Sequence, residues 1–193
     1  APAGLDAKEV NEKILKGMGI LEGTAQHFID AGKMHNINEA YLIAHALHET
    51  GNGTSTLANG IPVDKNGNVT RDSKGNIAKT SKTYKYVYNM YGYGAFDDNP
   101  IDGGAKFAFE EGWFSVREAI IGGSKLVAKN YIHRGQNTLY KMKWNPDNPG
   151  THQYATHVSW ALSQTTRIDR IYSMLNNFVK IFEVPQFKNQ PPK

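Results

Sequence analysis

Cysteine is absent from this 193-residue chain, which removes disulfides, thiolate metal ligands and a cysteine nucleophile together. No apolar run approaches the roughly 20 residues that a bilayer-crossing helix needs, so membrane insertion is not expected. The N-terminus has no charged-then-apolar leader, and any export signal is expected to have been removed or to lie outside these residues. The net charge of +4 favours polyanionic surroundings, yet lysine and arginine are scattered, with no dense basic stripe and no recognition-helix pattern. No nucleic-acid partner is therefore expected. Ser55, Ser115, Ser124 and Ser159 lack the glycine-flanked elbow of a nucleophilic serine. Gly92-Tyr93-Gly94 lacks the third glycine and the helix start of a phosphate loop, which removes nucleotide chemistry.

What is present describes one globular domain: the length suits a single core, and 19 glycines signal substantial loops. Asp6 can cap a helix that turns Val10, Ile14 and Leu15 inward, and a second helix runs through Phe28 and Ile29 to a stop at Gly32. A third helix begins at the N-cap Asn38 and ends at Glu49, where Gly51-Asn52-Gly53 supplies left-handed backbone. After Gly60 the pattern changes to short strands with turns at Asn66-Gly67 and Lys74-Gly75-Asn76. Asp102 opens a helix through Phe107 and Phe109. Ser115 to Glu118 is a capping box for the next helix, which runs towards Asn130. The stretch Trp144–Gly150 reads as a loop. The last helix places Ile168, Ile171, Tyr172 and Leu175 on one stripe. The order implies an α+β fold: a mainly helical lobe and a small β-hairpin lobe, about residues 60–88, flanking a substrate cleft. Residues 1–183 form the domain and 184–193 a Pro-rich linker stub.

Two groups of residues carry chemistry. Glu49 lies on the last turn of an apolar helix. The helix's negative pole and partial burial are expected to raise its proton affinity, as a general acid needs. A glutamate there can also be merely tolerated and solvated. His45, His48 and Glu49 share one helical face, but the order His-x-x-His-Glu does not match a zinc-peptidase helix, so no metal and no cofactor are expected, and the histidines are read as packing or hydrogen-bonding residues. Between Tyr84 and Tyr93 five tyrosines and Asn89 offer aromatic faces and polar groups of the kind sugars need; the same cluster also reads as a strand followed by an aromatic packing patch. Carbohydrate cleavage survives as the chemistry that uses both groups.

Glu49-Thr50-Gly51-Asn52-Gly53-Thr54-Ser55, then Asn89-Met90-Tyr91-Gly92, then Tyr154-Ala155-Thr156, in that order, resemble the glucosaminidase domains of bacterial autolysins, glycoside hydrolase family 73, and most closely those of the staphylococcal-type major autolysins. The resemblance covers the chain from about the first helix to the last. It implies a lysozyme-like fold and endo-β-N-acetylglucosaminidase action on peptidoglycan, with the protein secreted and associated with the cell wall. Its implied partners are glycan strands and anionic wall polymers such as teichoic acids, and a monomer is expected. Carried over by position, Glu49 matches the general acid, Tyr154 the tyrosine near the reaction centre and Asn89 an asparagine lining the cleft. Tyr91 and Gly92 stand where the family more often has Phe-Gly. Tyr93 and Asp98 complete the expected substrate-binding set. For a second carboxylate the sequence offers Asp64, Asp72, Asp97 and Asp98; an inverting mechanism needs one of them roughly 6.5–9.5 Å from Glu49. Without one, the substrate's acetamido oxygen is the internal nucleophile, the route favoured here. Muramidase action on the other glycosidic bond and a catalytically silent wall-binding module are the competing expectations.

Overall fold

The computed structural model describes residues 1–96, 98–154, 158–186 and 188–189. Asp6 accepts a hydrogen bond from the Glu9 amide and starts α1 (Ala7–Val10), which continues as a π turn over Asn11–Leu15. Val10, Ile14 and Leu15 are buried, as their spacing predicts. Helix α2 (Ala25–His35) runs past the expected stop. Gly32 lies inside it because a Cβ there would stand 2.9 Å from the Ile37 carbonyl oxygen and 3.3 Å from Glu39 Cβ. The glycine lets the following chain fold back onto α2, and the helix ends instead at Asn36, left-handed with φ 54°.

Helix α3 (Glu39–Glu49) forms where expected, with Asn38 Oδ1 accepting from the Tyr41 amide at 3.1 Å. Every residue from Glu39 to Ala46 is buried, because α3 lies between α2 and α7 (Trp160–Met174). Beyond Glu49, the Thr50 hydroxyl donates to the Ala46 carbonyl and accepts from the Gly53 amide, while Gly51, Asn52 and Gly53 take positive φ. The chain thus leaves the helix sharply and exposes its last turn.

The β lobe is a two-stranded antiparallel sheet, β1 (Ile61–Val63) against β2 (Lys85–Val87), with Pro62 opposite Tyr86. Both expected turns form. The strands between them, however, shrink to single bridges, Val63 to Val69 and Arg71 to Ile77. Asp64 accepts from the amides of Asn66 and Asn68, and Asp72 from those of Lys74 and Asn76, so side chains rather than a ladder hold these loops.

Helix α4 (Pro100–Glu110) starts before Asp102: Asn99 is the cap, proline takes the first position, and Asp102 bonds back to Asn99 Nδ2 at 2.7 Å. Helix α5 (Val116–Asn130) carries the capping box read from the sequence, with Glu118 also accepting from the Phe114 amide. Helix α6 (Leu139–Trp144), capped by Thr138, was not expected; six residues are too few to show a helical period. The last helix, α7, buries Ile171 and Tyr172.

Candidate active site

Glu49 stands at the open end of α3 with about a third of its side chain exposed. Its two carboxylate oxygens meet different surroundings. Oε1 is 3.5 Å from Nε2 of His45, one turn earlier on the same helix. Oε2 faces Gly92, where a Cβ would lie only 3.2 Å away. Gly92 has φ +68°, so glycine is required twice, by the backbone and by the carboxyl beside it.

His45 is buried inside a ring of tyrosines. Its Nε2 lies 2.7 Å from the Tyr154 hydroxyl and its Nδ1 3.4 Å from the Tyr41 hydroxyl. The rings of Tyr41, Tyr91 and Tyr154 pack on the imidazole with centroids 5.2–5.6 Å away. Trp160, at the start of α7, closes the far side by stacking on Tyr154 at 4.5 Å. Burial pushes the hydroxyls of Tyr41, Tyr91, Tyr93 and Tyr154 well above the usual phenol range, so all four stay protonated and uncharged.

The expected rise in the proton affinity of Glu49 does not occur. Burial does raise it, but the hydrogen bond from His45 and the electrostatic pull of His45 and His48 outweigh burial and hold the carboxyl below its ordinary 4.5. Reading the sequence for the helix pole and apolar neighbours left out the imidazole at the preceding turn. In the free protein Glu49 is an anion at neutral pH.

The remaining sequence candidates separate into cleft and scaffold. Gly92, Tyr93 and Tyr154 surround Glu49, and both tyrosines feel its charge. Asn89 and Tyr91 do not line a cleft. Asn89 is buried, its amide donating to the carbonyls of Tyr93 and Gly104 and its oxygen accepting from the Tyr91 amide. Tyr91 is buried with its hydroxyl 3.1 Å from Ser124 on α5. These two residues fix the loop that carries Gly92. Asp98 is exposed on the segment before α4. Tyr84, just before β2, and Tyr86, on it, are exposed, and Tyr88 covers Gly60, so the tyrosine cluster is not one surface.

The Asp64 and Asp72 carboxylates are engaged in their own turns, including bonds to the side-chain amides of Asn68 and Asn76. Asp97, Ala155 and Thr156 lie outside the described residues. Among the described residues no three of His, Asp and Glu are grouped to hold a metal ion. A cavity of about 430 Å³ lies at the opposite end of α3, lined by residues such as Tyr140, Ile168 and Phe182, and Glu49 does not reach it. His45, Tyr41 and Trp160 were missed as site residues. The signal for the first two was present in the i, i+4 spacing Tyr41, His45, Glu49 on one helix face.

Comparison with known proteins gives this arrangement relatives. Residues 25–173 match the glucosaminidase family described as mannosyl-glycoprotein endo-β-N-acetylglucosaminidase. A β-N-acetylglucosaminidase of Bacillus subtilis is 49% identical over 189 residues, covering 96% of this chain and 19% of its own. A bifunctional autolysin of Staphylococcus epidermidis is 47% identical over 187 residues, covering 97% of this chain and 13% of its own. The chain therefore spans less than a fifth of the length of these relatives. Among solved structures, a major bifunctional autolysin superposes with TM-score 0.72 at 41% identity, over 97% of this chain and 70% of that one. A catalytic mutant of S. aureus autolysin E, crystallised with the disaccharide NAG-NAM, superposes with TM-score 0.68 at 38% identity, over 89% of this chain and 68% of that one. The α+β architecture with its small hairpin lobe is the lysozyme-like fold of these domains. With the fold and sequence identity agreeing over nearly its whole length, the chain belongs to the glucosaminidase family.

Proposed function

We propose that residues 1–183 are the catalytic module of a peptidoglycan hydrolase, an endo-β-N-acetylglucosaminidase that cuts the β-1,4 bond after N-acetylglucosamine, with Glu49 as general acid. The observation that carries this reading is the partly exposed Glu49 carboxyl, with Oε1 3.5 Å from the buried His45 and Oε2 beside Gly92. The NAG-NAM bound to the autolysin E mutant supports the substrate class. Family membership favours the glucosaminidase cut over the muramidase one.

A carboxyl that is ionised in free protein must gain a proton to act as an acid. A sugar seated over Glu49 replaces water at the exposed third of the side chain, and that desolvation favours the protonated form. The proton then passes to the bridging oxygen as the bond to the anomeric carbon breaks. Among the described residues, His45 and His48 are the ionisable groups that act on Glu49, and the Asp64 and Asp72 carboxylates are occupied in turns. This supports substrate assistance, in which the acetamido oxygen bonds to the anomeric carbon and water later opens the ring so formed. Tyr154, uncharged and hydrogen-bonded to His45 beside Glu49, is read as the hydroxyl that orients the acetamido group.

The autolysin relatives support a place at the bacterial cell wall. We read the module as a secreted monomer, with residues 184–193 as a connecting segment and anionic wall polymers as secondary partners. Glu49→Gln is expected to lower the clearing of a wall suspension by a factor on the order of 10² to 10⁴ while the protein still pellets with walls, and added salt should weaken that pelleting. A glutamine variant as active as the parent would overturn the assignment. Mass spectrometry of borohydride-reduced products should find N-acetylglucosamine at the new reducing end, and the first-formed anomer should be retained. Inversion would eliminate substrate assistance.

A further inference from the structure

We infer that His45 is the positioning residue of the acid: fixed between the Tyr41 and Tyr154 hydroxyls, its imidazole holds Oε1 of Glu49 and switches tautomer with the charge of that carboxyl. The inference deepens the Glu49 reading and rests on it. His45 is 2% exposed, so it meets neither substrate nor solvent and acts only through its neighbours. The titratable groups facing it are Tyr41 and Glu49 on its own helix, Tyr91 on the loop after β2 and Tyr154 on the segment before α7. His48 and Tyr93 add charge or polarity beside Glu49.

Nε2 has two partners at once, the Tyr154 hydroxyl at 2.7 Å and Oε1 of Glu49 at 3.5 Å. When Glu49 is ionised, a bare nitrogen lone pair aimed at the carboxylate would be repelled, so the ring proton sits on Nε2 and Nδ1 accepts from Tyr41. When Glu49 is protonated, Nε2 can give up its proton and accept from Tyr154, while Nδ1–H donates to the Tyr41 oxygen. Both arrangements leave every buried polar atom satisfied, because each tyrosine hydroxyl can donate or accept. Only one solvent proton is taken up in passing between them, and it ends on Glu49. The carboxyl is thus held through Oε1 while it is charged in the empty site, and is released from Nε2, which turns to Tyr154, when it is protonated under substrate. Oε2, at Gly92, is then the oxygen that delivers the proton.

The test replaces His45 with phenylalanine and, separately, with glutamine, which keeps a donor near the Nε2 position. Glutamate carbons are labelled and the Glu49 carboxyl resonance is assigned by its loss in Glu49→Gln. In His45→Phe the Glu49 carboxyl should titrate at higher pH than in the parent. The maximal kcat should fall by up to about a hundredfold with KM little changed. The alkaline limb of the kcat profile should move to higher pH, and His45→Gln should recover part of all three. Should the phenylalanine variant fail to fold, the glutamine variant and Tyr154→Phe carry the same readouts. A Glu49 titration unmoved in folded variants, or a lower kcat with an unmoved alkaline limb, would overturn the inference even with Glu49 confirmed as the acid. An active Glu49→Gln would instead overturn the reading beneath it.

Discussion

At the scale of single residues, the division of labour around Glu49 turns on which atoms are absent as much as on which are present. Gly92 has no side chain where one would stand 3.2 Å from Oε2, and its backbone occupies φ +68°. Gly92→Ala therefore combines two costs. Left-handed backbone costs a residue with a Cβ about 1–2 kcal/mol, which for a domain of this size lowers Tm by roughly 2–8 °C. The added methyl also presses on Oε2, the oxygen proposed above to deliver the proton, so kcat should fall on the order of tenfold or more at a temperature where the variant is fully folded. Calorimetry and steady-state kinetics on the same sample separate the two. A lowered Tm with parental kcat would mean that Gly92 serves the turn alone.

At the scale of elements, the helix that carries Glu49 was legible in the sequence and its chemical setting was not. Asn38 at one end and Gly51-Asn52-Gly53 at the other are local signals, and α3 lies between them as read. Asn89 and Tyr91 were matched to a motif but assigned to the cleft, because a motif gives position in the chain and not the direction of a side chain. Their burial depends on Gly104 and Ser124, partners remote in sequence. The β lobe shows the same limit: the turns were legible from Asn66-Gly67 and Lys74-Gly75-Asn76, while the pairing of β1 with β2 was not. These turns carry their own pH signature. The Asn68 amide and side chain, chiefly, hold the Asp64 carboxyl below its ordinary 3.8, and the Asn76 amide does the same for Asp72. A carboxylate depressed in the folded state contributes stability that is present above its unfolded pKa and lost as pH falls through the folded one. The Asn68 and Asn76 amide resonances should therefore titrate with midpoints below 3.8 in the folded protein. Midpoints at or above that value would show that the carboxylates do not hold the turns.

At the scale of the whole molecule, α3 joins two tasks at opposite ends, about 16 Å apart for a helix of its length. Its last turn presents Glu49, and its first turn gathers both ends of the domain. The buried Glu39 carboxylate accepts from the amides of Ala3 at 2.7 Å and Leu5 at 2.9 Å. The Ala3 carbonyl in turn accepts from the Val179 amide, and Asn38 donates to the hydroxyl of Tyr172 on α7. Removing Glu39 strands two buried amides, and charged hydrogen bonds of this kind are worth about 1.5–3 kcal/mol each, so Glu39→Ala should cost on the order of 3–6 kcal/mol. Because that end of the helix is remote from Glu49, the loss should appear as stability and not as chemistry. Hydrogen exchange should speed up first at Ala3, Leu5 and Val179, Tm should fall, and kcat should match the parent's below the transition. If kcat fell with Tm while the protein remained folded, the two ends of α3 would be coupled, and the acid's position would depend on how the termini are fastened.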